Sequence, residues 1–295
     1  YKQLPPPKKL SVGSLDAGVG SFWPIAVQAV VENFYEAAQY IDGAQGEDSI
    51  DLGVIEEQRA SLRPSFFIFA GSSAGGTGNG AAPEFAENYL RWLERRKGLA
   101  APHIMSIGVT VLPFENDPRI HIAEPNALTH LARISRSVKT VFLADNEHFR
   151  RKWGYGSEEA EWVVNRLLAY SLMSLFLMNY AGARRWEAAD YNNFFAEAGK
   201  ASITVPSFMH INYEDFKRAS RTIDPGKYLA RYIPLACREN LLAEISLEEK
   251  PPKKVLTIVA FPSGAGIGDE TVSTLERELS NIFQERYRIR EYNCT

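Results

Sequence analysis

The chain has 295 residues, 45% hydrophobic and 23% charged, enough apolar material for one large or two medium cores. A net charge of -3 and a pI near 6.0 exclude the basic footprint of a nucleic-acid partner. Two cysteines, Cys237 and Cys294, make neither a disulfide framework nor a metal spacing and suit a reducing cytoplasm. The five histidines show no HxxxH or HExxH pairing, so no metalloenzyme is expected.

Taken in order, the chain opens on Pro5-Pro6-Pro7-Lys8-Lys9, which has loop or linker character. From Trp23 a helix is expected: Pro24 suits its first turn, and Ile25, Ala29, Val30, Phe34 and Ala37 recur at helical spacing. Asp42 to Ser49, polar and glycine-bearing, reads as a surface loop. The aromatic and β-branched run Ser65 to Ala70 reads as a buried strand. Five glycines then fall among the ten residues Gly71 to Gly80, more chain entropy than a plain turn requires. A helix follows, with Pro83, Glu84 and Glu87 in and near its first turn and Arg95-Arg96-Lys97-Gly98 closing it.

Ile104 to Leu112 reads as a second strand, Asn126 to Ser137 as a helix, and Val138 to Ala144 as a third strand. Strands alternating with helices imply an α/β fold on a parallel sheet, with ligands at the strand C-terminal ends. Ser157, with Glu158 and Glu159 behind it, caps a long helix reaching Leu177. Its most apolar stretch, Leu167 to Met178, is broken by Ser171 and Ser174 and is too short to cross a bilayer, so no membrane insertion is expected. Ala201 to Phe208 leads into a sheet, and Val255 to Phe261, Asp269 to Glu285 and Tyr287 to Tyr292 read as strand, helix and strand of a second α+β domain.

The glycine-rich stretch lies between a strand and a helix N-terminus, where unpaired amides and the helix dipole attract anions. It is not GxxxxGK[ST], and GxGxxG does not fit in register. A dinucleotide-dependent oxidoreductase would need an acidic residue about twenty positions on, where the chain has the basic helix end Glu94-Arg95-Arg96-Lys97. A second glycine cluster, Gly264-Ala265-Gly266-Ile267-Gly268, lacks the third glycine at its place.

Ala74-Gly75-Gly76-Thr77-Gly78-Asn79-Gly80 resembles the tubulin/FtsZ superfamily signature [SAG]GGTG[SA]G, with Asn79 the single departure, and Ala81-Ala82-Pro83 continues it in the FtsZ manner. Tyr1-Lys2-Gln3-Leu4 and Asp16-Ala17-Gly18, Pro113-Phe114-Glu115, Glu124-Pro125-Asn126, Asp145-Asn146-Glu147 and Asn165 follow the same pattern in order, in the manner of archaeal or bacterial CetZ- or TubZ-like members. The resemblance implies a Rossmann-like GTP-binding domain over residues 1–156, a central helix over 157–183 and an acidic loop with an activation-type domain over 184–295. It also implies that a first strand, its own glycine-rich turn and a helix belong ahead of Tyr1.

On this resemblance the nucleotide-binding residues are Ala17 and Gly18 at the terminal phosphates and Ala74, Gly75, Gly76, Thr77, Gly78 and Asn79 around the phosphates. Glu115 or Glu124, of which only one is needed, serves the ribose, and Asn146 and Asn165 serve the base. A carboxylate suits sugar hydroxyls, and a carboxamide offers a base edge both a donor and an acceptor. Glu161 stands where the family has a stacking aromatic, with Trp162 beside it. The family's NxDxxD loop corresponds to Arg185, Glu187 and Asp190, so Glu187 and Asp190 are the implied catalytic acids, with Mg2+ and backbone amides stabilising phosphate charge. The implied function is a cytoplasmic GTPase whose subunits associate head to tail into filaments and hydrolyse GTP between them, with adaptor proteins as further partners. Arg185 and Glu187 leave open a non-catalytic relative acting as an adaptor or regulator.

Overall fold

Ser65–Ala70, an uncharged run with three phenylalanines and an isoleucine, forms strand β1 and pairs in parallel with β2 (Ile104–Leu112), Ser65 lying opposite Ile104 and Ala70 opposite Val109. The computed structural model describes residues 21–47, 65–97, 104–181, 186, 188–197, 200–244, 252–261, 265, 267–287 and 291–294. These fall into two compact units: the described residues up to Val141 with Phe195–Ile203, and Phe142–Phe194 with the described residues from Thr204 onward.

In the first unit, helix α1 (Trp23–Glu47) precedes β1, α2 (Gly76–Lys97) connects β1 to β2, and α3 (Ile120–Ile134) leads to β3 (Thr140–Asp145), of which Thr140 and Val141 belong to this unit and Phe142 onward to the second. The sheet order is β1-β2-β3-β5-β4, in which β4 (Ala196–Glu197) and β5 (Lys200–Thr204) form an antiparallel hairpin. β2 is buried from Ile104 through Thr110, as expected of a strand covered on both faces. The core gathers Phe67 and Phe69 of β1, Tyr89, Trp92 and Leu93 of α2, Ile134 of α3 and Val141 of β3. Tyr89 stacks on Phe85 at 5.4 Å and on Trp92 at 5.7 Å between ring centroids, and burial pushes its hydroxyl up to about 12.

Three boundaries differ from the sequence reading. α1 continues through Asp42 to Glu47, its glycines weakening the helix without stopping it. α3 begins at Ile120 and carries Pro125 inside it. α2 begins at Gly76, so Pro83 lies in the helix interior and not in its first turn. A proline there removes the amide that would bond the carbonyl four residues back, which is that of Asn79. Arg133 of α3 supplies the missing donor, its Nη1 reaching the Asn79 carbonyl at 3.2 Å.

In the second unit, α4 (Asn146–Trp153) is capped by Asp145 and ends at Gly154, whose φ of 71° is the left-handed conformation that favours glycine. α5 (Ser157–Ala181) and α6 (Ala188–Phe195) follow. Asn212 caps α7 (Tyr213–Ala219), and Asp224, with Pro225 at the first turn, caps α8 (Pro225–Glu239). α9 (Asp269–Tyr287) joins two short parallel strands, β6 (Lys254–Thr257) and β7 (Glu291–Cys294). This is the expected strand, helix, strand order with the first strand shorter and the second displaced toward the C-terminus. Phe216, Leu229, Leu275, Leu279 and Phe283 form the core of this unit. Among the described residues no helix is long and apolar enough to cross a membrane.

Candidate functional site

The glycine-rich turn folds back on itself. A Cβ at Gly78 would lie 2.4 Å from the Ser72 backbone nitrogen and 2.6 Å from its carbonyl oxygen, so the first turn of α2 rests directly on the loop backbone. A Cβ at Gly80 would meet the Trp23 carbonyl at 2.3 Å and the Ala26 Cβ at 2.6 Å, which sets how closely α2 approaches α1. Ser73 is buried and its hydroxyl donates to the Val111 carbonyl near the end of β2. Gly76, Thr77, Gly78 and Asn79 occupy the opening turn of the 22-residue helix α2, whose first amides have no partner within the helix. Thr77 is exposed there.

Behind the loop lies a polar network of long sequence reach. The Asn126 Nδ2 donates to the carbonyls of Ser21 and Ala74 at 3.1 Å each. The Asn79 Nδ2 donates to the Asn126 carbonyl at 2.6 Å, while the Asn79 Oδ1, in a fully buried residue, has no hydrogen-bond partner among the described residues. Arg133 pairs with Glu84 at 3.0 Å, donates to the Asn79 carbonyl and lies 4.6 Å above the Trp23 ring. Asn126, His130 and Arg133, spaced by four and three, lie along one side of α3. His130 is fully buried, and burial, with Arg133 adding to it, lowers its imidazole to about 4. The two carboxylates assigned to the ribose are both exposed, Glu115 in the turn after β2 and Glu124 on α3 two residues from Asn126.

In the second unit, Asp145-Asn146-Glu147 divides its labour. The Asp145 carboxylate accepts from the amides of Glu147 and His148 at 2.9 and 3.1 Å, and its own amide donates to the Leu242 carbonyl at 2.7 Å. Glu147, 4% exposed, is held by Arg150 and Arg151, each with a nitrogen at 2.6 Å. Asn146 opens α4, is buried, and keeps an Oδ1 with no hydrogen-bond partner among the described residues. Asn165 is exposed on α5, as is Glu161. Trp162 is exposed, with the Arg166 guanidinium 5.0 Å from its ring and 5.4 Å from that of Tyr170.

Asp190 is exposed in the first turn of α6. Its neighbour Tyr191 is fully buried, donates its hydroxyl to the Leu175 carbonyl at 2.9 Å and meets Trp186 edge-on at 5.2 Å, so the aromatic pair anchors the helix that presents the carboxylate. Burial, with Asp190 adding to it, raises the Tyr191 hydroxyl well above its ordinary value. Ala17, Gly18, Arg184, Arg185 and Glu187 lie outside the described residues.

The structure thus places Ala74 and Gly75 in the loop and Gly76 to Asn79 in the adjoining first turn of α2, with Asn126 behind them. Arg133 was not singled out from sequence. The available signal was its spacing of seven from Asn126, two helical turns along one face.

No family model matches the chain, and no curated protein sequence does. Solved structures do. CetZ1 from Haloferax volcanii, as a GDP-bound monomer, is 20% identical over 94% of this chain and 69% of that one, with a TM-score of 0.61. CetZ2 from the same organism, as a GTPγS-bound protofilament, is 17% identical over 94% and 70%, with a TM-score of 0.62. FtsZ from M. jannaschii is 17% identical over 94% and 68%, with a TM-score of 0.51. The chain has the fold of the tubulin/FtsZ superfamily.

Proposed function

We propose that the chain binds a guanine nucleotide on the Ala74–Asn79 loop and assembles head to tail, with hydrolysis completed by acids of the adjoining subunit. The observation that carries this reading is the loop itself: a helix N-terminus of the right length, glycines where a Cβ would strike backbone, and carbonyls drawn to donors behind it. The buried Asn146 Oδ1, without a partner among the described residues, supports a base contact, since an amide carbonyl accepts from a guanine edge and is costly to leave unfilled. Similar folds are described with GDP bound and as a GTPγS-bound protofilament.

On this reading Ala17 and Gly18 face the terminal phosphates, Glu115 or Glu124 takes the ribose, and Asn165 joins Asn146 at the base. Among the described residues no cluster of three His, Cys, Asp or Glu could hold a metal ion. On this reading Mg2+ would neutralise phosphate charge beside the bound nucleotide. Asp190 and Glu187 would orient the attacking water in the neighbouring subunit's pocket. A contact between unlike surfaces does not close on itself and builds an open filament.

Phosphate release from GTP, measured against protein concentration, tests the reading together with direct titration of GDP. Turnover per subunit should rise as filaments form and should be lost in Asp190→Asn. Binding with flat, near-zero turnover would remove the catalytic half and leave a nucleotide-binding adaptor, which Arg185 and Glu187 would suit. No affinity for guanine nucleotides would remove the reading altogether.

A further inference from the structure

A loop that meets an anion must do two things at once: present its N–H groups and keep its carbonyl oxygens turned away. The second requirement needs donors on the side opposite the ligand, and those donors cannot come from the loop. Here they come from α3. One amino group, the Nδ2 of Asn126, uses its two hydrogens on two carbonyls, those of Ala74 in the glycine loop and Ser21 just ahead of α1, at 3.1 Å each. Asn126 is itself held, its carbonyl accepting from the Asn79 Nδ2 at 2.6 Å, and it is 8% exposed, so water cannot readily replace it.

We propose that Asn126 is the positioning residue of the glycine loop: it draws the Ala74 and Ser21 carbonyls to itself, so that the loop turns amide hydrogens toward a bound phosphate. The inference rests on the guanine-nucleotide reading and adds to it a residue that touches no ligand. It also explains why Asn79 stands where the related signature has a small residue, since its carboxamide spans from α2 to the backbone of Asn126. An aspartate at 126 would be acceptor-only, would leave both carbonyls without their donor and would add a negative charge behind the loop.

The test titrates the full chain with a fluorescent GDP, comparing wild type with Asn126→Asp and Asn126→Ser, well below each protein's unfolding midpoint. Asn126→Asp should weaken binding at least tenfold. Asn126→Ser, which keeps one donor and no charge, should weaken it by a smaller factor and serves in its place should the aspartate variant not fold. Leu229→Ala, in the core of the second unit, lowers stability without touching this network and should keep the wild-type affinity, which separates positioning from a general loss of stability. Wild-type affinity in both Asn126 variants would overturn the inference and leave the nucleotide reading standing. No binding by the wild type would overturn both.

Discussion

Pro83 and Arg133 form a pair whose energetics can be isolated. The proline leaves the Asn79 carbonyl without its helical donor, and Arg133 provides one at 3.2 Å while also pairing with Glu84 at 3.0 Å and covering Trp23. Arg133→Met should remove all three contacts. The uncapped carbonyl costs about 1–3 kcal/mol and the lost ring contact about 0.5–1 kcal/mol. The ion pair adds about 1 kcal/mol, discounted because its two side chains are 19% and 21% exposed. The total is about 2.5–5 kcal/mol. Pro83→Ala restores the amide at position 83 and lets the helix satisfy the Asn79 carbonyl from within, so in that background Arg133→Met should cost less by about 1–2 kcal/mol. Urea unfolding of wild type, both single variants and the double variant gives this coupling directly. Costs that agree within about 0.5 kcal/mol in the two backgrounds, the usual scatter of additivity, would refute the assignment of Arg133 as the donor that the proline requires.

Further outcomes follow from buried groups and close backbone contacts. His130 has its imidazole lowered from 6.5 to about 4, so between those values the unfolded chain binds a proton that the folded chain refuses, and stability falls as pH falls. Linkage gives a loss of about 2 kcal/mol between pH 7.5 and pH 5; His130→Leu should remove that part of the slope, and parallel stability curves for the two proteins would contradict it. Gly78→Ala forces a Cβ to within 2.4 Å of backbone and should lower stability by about 1–3 kcal/mol. Gly75→Ala meets, among the described residues, the Ser72 side chain alone, its hydroxyl at 3.3 Å and its Cβ at 3.8 Å, and should lose clearly less in thermal melts of the two variants. Tyr191→Phe, which deletes the bond to the Leu175 carbonyl, should cost about 1 kcal/mol in chemical denaturation; an unchanged midpoint would show that this bond does not hold α6.

Composition and local order were enough to reach the outline. The uncharged run at Ser65–Ala70, the buried run at Ile104–Leu112 and the glycines between them specify a strand, a turn and a helix N-terminus through neighbours a few residues apart. The asparagines at 79 and 146 were marked by the resemblance of their segments to family motifs. What residues near in sequence do not record is which distant group completes them. Asn126 reaches Ser21 across 105 positions, Ala74 across 52 and Asn79 across 47, and Arg133 reaches Asn79 across 54. The start of α2 at Gly76 depended on the same fact. A proline seven residues into a helix reads as a boundary until a donor from another helix is seen to occupy the carbonyl it strands. Hydrogen-bond satisfaction inside a protein is a property of the packed chain, because each buried polar atom takes its partner from wherever the fold brings one.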